Sequence, residues 1–270
     1  MSVFDRPTKA TFSSEAKLCE TFIWSLDMSA WRPYPETGGF DILLVRIADG
    51  IQVGIEAKLT LNAKVIEQIV ESKSPWHVSY GGPDFRAALI PWGTEGSFGS
   101  VCRLLGITVI QQRDRAVWEY ESKHFGHYRR GGSPKFEPEL PKIKEDHWSN
   151  WRDDWIDWAP TKRVVLPDYV PDVGAGHSAP VQLTSWKIKA LRICALIEKR
   201  GYVERSDFKH LQISADRWLN PRAGWLERGT FKGQYVESDK VRELRAQHPR
   251  NYAEILADYD KWKPTPEAKA

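Results

Sequence analysis

The chain has 270 residues, 28% charged and 41% hydrophobic, with a formal net charge of +3. That is the composition of an ordinary soluble globular protein, with no apolar run long enough to cross a bilayer and no signal-peptide core in the opening MSVFDRPTKATFSSEAK. Cys19, Cys102 and Cys194 lie far apart and form no CxxC pair, which excludes a disulfide framework or a zinc ribbon and points to a cytoplasmic location.

Residues 13–26 read as a helix, with Ser13 or Ser14 as cap and Leu18, Phe22 and Leu26 on one face. The following RPYPETGG holds two prolines and two glycines and reads as a turn, although AWRPYP (30–35) occupies the place of a poor first strand. Phe40 to Ile47 is a nearly continuous apolar strand, and Ala48–Gly50 turns the chain. From Ile51 to Leu59 the apolar residues alternate with Gln52, Gly54, Glu56 and Lys58, the pattern of a half-buried strand. A helix is expected from Thr60 to Glu71, a strand over Phe85–Trp92, and a short helix ending at Gly106. ITVIQQ (107–112) reads as a fourth strand and AVWEYES (116–122) as a fifth. This order describes a small α/β domain over residues 10–122.

Residues 123–183 are rich in Pro and Gly and read as a linker. Trp148, Trp151, Trp155 and Trp158 within it have helical spacing, which predicts one aromatic stripe packed on a domain. A basic module follows. Residues 184–250 hold fifteen Lys or Arg against eight Asp or Glu, a local charge of +7 that leaves −4 for the rest. Such a face suits a polyanion. Its helix SWKIKALRICALIEKRG, its short helix capped by Ser206, a further helix broken near Pro221, and two short strands around Lys232–Gly233 follow the order of a winged helix-turn-helix. Residues 251–270 close the chain as a helix and a disordered tail.

The segment GGFDILLVRIADGIQVGIEAKLTL concentrates the chemistry. Antiparallel pairing across its turn brings Asp41 near Glu56 and Lys58, with Gly38–Gly39 leaving open space before Asp41. Two carboxylates at close range repel, and a hard divalent cation removes that cost. Such a cation acidifies water and stabilises phosphoryl charge, while a lysine orients the water or steadies the developing anion. The set suits phosphodiester hydrolysis. His124, His127 and His147 have no ligand spacing and form no metal site.

These residues resemble the PD-(D/E)xK nuclease superfamily, which includes restriction endonucleases and Holliday-junction resolvases. The likeness rests on Phe40-Asp41 and on Glu56-Ala57-Lys58, within residues 10–120. No proline stands directly before Asp41, the nearest being Pro35. The resemblance implies a restriction-endonuclease-like mixed sheet flanked by helices, with a small C-terminal winged-helix-like domain. It implies Asp41, Glu56 and Lys58 as catalytic residues, and Mg²⁺ or Mn²⁺ held by Asp41, Glu56 and a helix carboxylate. Glu15 is favoured for the last role over Glu20. Gln68 and Asn62 are candidates for phosphate or water contacts.

The expected function is a Mg²⁺-dependent DNA endonuclease acting on duplex or branched DNA, in restriction, recombination or mobile-element biology. Arg217, Arg222 and Lys232 are the expected DNA contacts. Cutting both strands would favour a homodimer. The alternatives are a non-catalytic DNA-binding regulator on a nuclease-like fold, and a protein-interaction role for the C-terminal domain.

Overall fold

The computed structural model describes residues 9–71, 82–125, 135–142, 154–176, 183–220 and 225–264. The chain forms two compact units: residues 1–166 with 174–179, and residues 167–173 with 180–270. The residues expected to form a linker, where described, divide between these two units. Among the described residues no helix is long and apolar enough to cross a membrane.

The first unit is an α/β body around a six-stranded mixed sheet, in spatial order β1 to β6. Helix α1 (Glu15–Trp24) starts where Ser14 Oγ accepts the Lys17 N–H at 3.1 Å. Strands β1 (Trp31–Thr37), β2 (Phe40–Arg46) and β3 (Gln52–Ala57) form an antiparallel meander. Helix α2 (Ala63–Glu71) then carries the chain to β4 (Phe85–Pro91), parallel to β3. Helix α3 (Phe98–Leu104) leads to β5 (Ile107–Gln112), parallel to β4. Helix α4 (Arg115–Phe125) is followed by β6 (Phe136–Glu137), antiparallel to β5.

Alternation along the strands divides the core in two. On one face Leu18, Cys19 and Phe22 of α1 pack on Ile42, Leu44, Val53, Ile55, Ala57, Leu89 and Ile110. On the other, Val65, Ile66 and Ile69 of α2 and Cys102 of α3 pack on Ala88, Ile90, Ile107 and Val109. Phe22 is fully buried and meets Phe136 edge-on at 5.0 Å, a burial that contributes roughly 1.5–3 kcal/mol.

Three expectations for the first unit change. The segment read as a turn, RPYPETGG, supplies most of β1. Its two prolines are tolerated because β1 is an edge strand, paired among the described residues with β2 alone, so their missing N–H groups cost no second ladder. The expected fifth strand at 116–122 lies in α4, because Asp114 Oδ1 accepts the Val117 N–H and the buried Glu121 reaches back to Arg113. The sixth strand falls instead at 136–137. Trp155 and Trp158 lie in non-helical chain without regular secondary structure: Trp158 N donates to Asp84 O, and the two indoles donate to Glu139 O and Gly106 O. Trp148 and Trp151 lie outside the described residues.

In the second unit α5 (Ser185–Arg200) ends at Gly201, which adopts the left-handed conformation (φ 84°). Helices α6 (Arg205–His210) and α7 (Asp216–Leu219) precede the hairpin β7 (Leu226–Arg228) and β8 (Tyr235–Glu237). The cap of α6 is Glu204 rather than Ser206, with Asp207 Oδ2 accepting the Glu204 N–H at 2.7 Å. Helices α8 (Asp239–Gln247), α9 (Pro249–Ala257) and α10 (Tyr259–Trp262) complete it. Ala190, Leu191, Cys194, Val203, Phe208, Trp218, Val241 and Ile255 share its core. The end of the expected disordered tail, 265–270, lies outside the described residues.

Gly54 lies mid-strand in β3, and a Cβ there would stand 2.7 Å from the Phe40 ring. Phe40 is buried and immediately precedes Asp41. Gly54→Ala should therefore destabilise the protein by about 1–3 kcal/mol through overpacking. A urea midpoint equal to that of the wild type would show that the Phe40 pocket yields freely.

Candidate active site

Strand pairing builds the site. Thr37 pairs with Phe40 across a two-residue turn in which Gly38 and Gly39 both have positive φ, 68° and 83°, as a tight hairpin requires. The space before Asp41 is not open: a Cβ on Gly38 would stand 2.7 Å from Val164 Cγ1. Ile42 pairs with Ile55, so the next step of the same register sets Asp41 opposite Glu56. There the ladder is completed by a side chain: Asp41 Oδ2 accepts the Ala57 N–H at 2.8 Å.

Glu56 is 7% exposed. Burial raises its pKa first, and the Asp41 charge and an Asp41 side-chain hydrogen bond raise it further, to about 8 from an ordinary 4.5. Lys58 stands beyond the end of β3, where its backbone N–H donates to Leu89 O at 2.9 Å. Its ammonium donates to Glu15 Oε2 at 2.7 Å. Burial pulls the Lys58 pKa down, but the Glu15 hydrogen bond and the charges of Asp41, Glu15 and Glu56 outweigh it and hold the pKa above its ordinary value. Lys58 is thus a fixed cation beside two opposed carboxyl groups.

Asp41, Glu56, Lys58 and Glu15 therefore come together, with Glu15 joined to Lys58. Glu20 is turned to solvent and pairs with Lys17 at 2.7 Å. Gln68 is exposed on α2, and Asn62 Oδ1 accepts the Val65 N–H at 3.2 Å as a helix cap. Arg217 is exposed on α7 and Lys232 is exposed in the turn between β7 and β8. Arg222 lies outside the described residues, as do His127 and His147, while His124 Nδ1 bonds Tyr120 O.

Two neighbours escaped the sequence reading. Cys19 lies beneath the site, its thiol pushed up by burial first and then by the charges of Asp41, Glu36 and Glu15. Glu36 precedes the glycine turn in a left-handed conformation (φ 49°) and accepts the Gly176 N–H at 2.8 Å. Its proximity depends on β1 being a strand, which the prolines disguised.

Among the described residues no three His, Cys, Asp or Glu side chains converge as a complete metal cage. The donor chemistry nevertheless fits Mg²⁺ or Mn²⁺ at the Asp41–Glu56 pair. Mg²⁺ is commonly held by one or two carboxylates, with water and substrate phosphate completing the shell. A cation there would also relieve the repulsion that raises Glu56.

The Glu56 shift has a signed consequence for metal-free protein. With a folded-state pKa raised to about 8 from 4.5, its stabilising contribution is fully present below the lower value and is lost as pH rises through the higher one. Thermal midpoints in EDTA should show wild type losing ground to Glu56→Gln across this window. A difference between the two that does not vary with pH would contradict the assignment of a buried neutral Glu56.

Comparison of the chain with protein-family models, with curated proteins and with solved structures finds no match.

Proposed function

We propose that the first unit is a PD-(D/E)xK-type nuclease domain that hydrolyses phosphodiester bonds in DNA with Mg²⁺ or Mn²⁺. The observation that carries this reading is the placement of Asp41 opposite Glu56 on paired strands, with Lys58 beside them and fixed by Glu15. A cation held by Asp41 and Glu56 would acidify the attacking water and neutralise phosphoryl charge. Lys58 is positioned to donate to a non-bridging phosphate oxygen as negative charge develops. Glu15 acts in this reading as a positioning residue: its carboxylate limits where the flexible lysine can reach and keeps it charged. Asp41 also ties its carboxylate to the backbone of β3, so it is oriented before substrate arrives.

The second unit is proposed to bind DNA as a winged helix. Its order of α5, α6, α7 and hairpin supports this, together with the antiparallel bridge that ties Val203 to Tyr235 of β8. On this reading α7 presents Arg217, and the hairpin turn presents Lys232 as a wing. Phosphate contacts of this kind add affinity before specificity.

Plasmid, single-stranded and branched DNA should be cleaved with Mg²⁺ or Mn²⁺ and not with EDTA. Asp41→Ala and Lys58→Ala should each lose at least ~100-fold in rate, the scale of a lost charge-stabilising group, with unchanged circular dichroism. Equal cleavage by both variants would place the activity elsewhere. For the second unit, the double variant Arg217→Ala with Lys232→Ala should weaken binding and lower the salt slope by about one for each phosphate no longer neutralised. An unaltered slope would remove these two residues from the interface.

A further inference from the structure

A second feature lies at the end of the sheet where β3 and β5 both stop, on the α1 side. Between the C-terminal end of α1, the end of β5 and the start of α4 is a pocket of about 330 Å³, a volume at the small end of small-molecule sites. Trp24 and Trp118 line it, with Gln112, Arg113, Arg115 and Lys135. Trp24 is 74% exposed, an unusual position for an indole in a folded domain. Lys135 Nζ stands 3.7 Å from the centre of its ring, which makes the aromatic wall cationic.

The floor of the pocket is polar and incompletely bonded. Gln112 directs its amide N–H groups to the Arg113 and Lys135 carbonyls and to Ser25 Oγ, and its Oε1 has no hydrogen-bond partner among the described residues. Arg113 donates to Glu121 and Glu137, and its Nη1 finds no acceptor among the described residues. Both side chains are more than nine-tenths buried. Orphaned polar atoms in a buried wall cost about 1–3 kcal/mol each and call for an explanation.

The position relative to the proposed catalytic residues can be measured along the sheet. Ala57 is level with Leu89, Leu89 is level with Ile110, and Gln112 is two residues further on. At ~4.8 Å between strands and ~3.3 Å per residue, Gln112 stands roughly 12 Å from the end of β3. Helix α1 gives a concordant length: Glu15 opens it beside Lys58 and Trp24 ends it, ~14 Å apart at 1.5 Å per residue. A stacked nucleic-acid strand advances about 3.4 Å per nucleotide, so, in the plane of the sheet, the pocket lies about three to four nucleotides from the end of β3.

We infer that this pocket receives an unpaired nucleobase of the strand being cut, which takes the place of Lys135 on the Trp24 ring and is walled by Trp118. The inference rests on the nuclease reading of the neighbouring site. Base–indole stacking contributes about 1–3 kcal/mol and tolerates any base. A base edge carries both donors and acceptors, the two kinds of partner that Gln112 Oε1 and Arg113 Nη1 would take once those side chains turn toward the pocket. Lys135 and Arg115 meet the flanking phosphates. The protein would therefore prefer substrate in which a base near the cut is already unpaired, since extruding one from a duplex costs free energy.

The test uses the full chain in EDTA, so that binding is read without cleavage. Three labelled oligonucleotides are compared: a single strand, a duplex with one bulged base, and a fully paired duplex. Wild type should bind the first two about tenfold or more tighter than the third. Trp24→Ala, at an exposed position, should fold normally and lose this preference, and Lys135→Ala should reduce it. A preference that survives in Trp24→Ala, or its absence in wild type, overturns the pocket assignment. Parallel assays with Mg²⁺ separate the two readings. Metal-dependent cleavage without any unpaired-base preference leaves the nuclease and removes the pocket. A Trp24-dependent preference without cleavage keeps the pocket as a base-binding site and removes the nuclease.

Discussion

Pairing of β2 with β3 in a single register is the constraint on which the first unit depends. Strand side chains alternate, so a slip of one residue would exchange every inward and outward position of β2. In the register found, Ile42, Leu44, Val53 and Ile55 all face α1, and the same choice sets Asp41 opposite Glu56. Core and candidate site are therefore specified together. The apolar stripe that makes the sheet fold is the one that brings two carboxyl groups into repulsion.

That repulsion is contained rather than avoided. Glu56 is buried and shifted toward its neutral form, Asp41 is tied to the Ala57 N–H, and Lys58 holds a charge that Glu15 anchors from α1. Four groups from three elements thus meet at the end of the sheet, where strands stop and side chains can reach a ligand. Cys19 lies beneath them as a buried thiol pushed away from ionisation, a packing residue and not a nucleophile.

The second unit is held by different means. Asp172, in the segment 167–173, accepts the N–H groups of Arg250 and Asn251 at the start of α9 and also bonds His248 Nδ1 at 3.0 Å. Asn251, fully buried, returns the contact through the Asp172 N–H and the Val170 carbonyl. A remote aspartate thus does what a local cap does elsewhere, satisfying donors that a helix start leaves open. Pro249 at the first turn removes one such donor outright.

By itself the sequence determined those elements whose apolar pattern is strong: α1, β2, β3, β4, β5 and α5 follow from spacing, because one side of each must be buried whatever surrounds it. It also marked Asp41, Glu56 and Lys58 as charges set in apolar strands. Tertiary structure decided the rest. Trp31–Thr37 became a strand because an edge position excuses its prolines, and Arg115–Phe125 became a helix because Asp114 caps it and Glu121 finds Arg113. Glu36, the Trp24 pocket and the capping of α9 by Asp172 join residues distant in the chain. Contacts of that kind have no local period, and they exist only once the sheet order and register have brought the segments together.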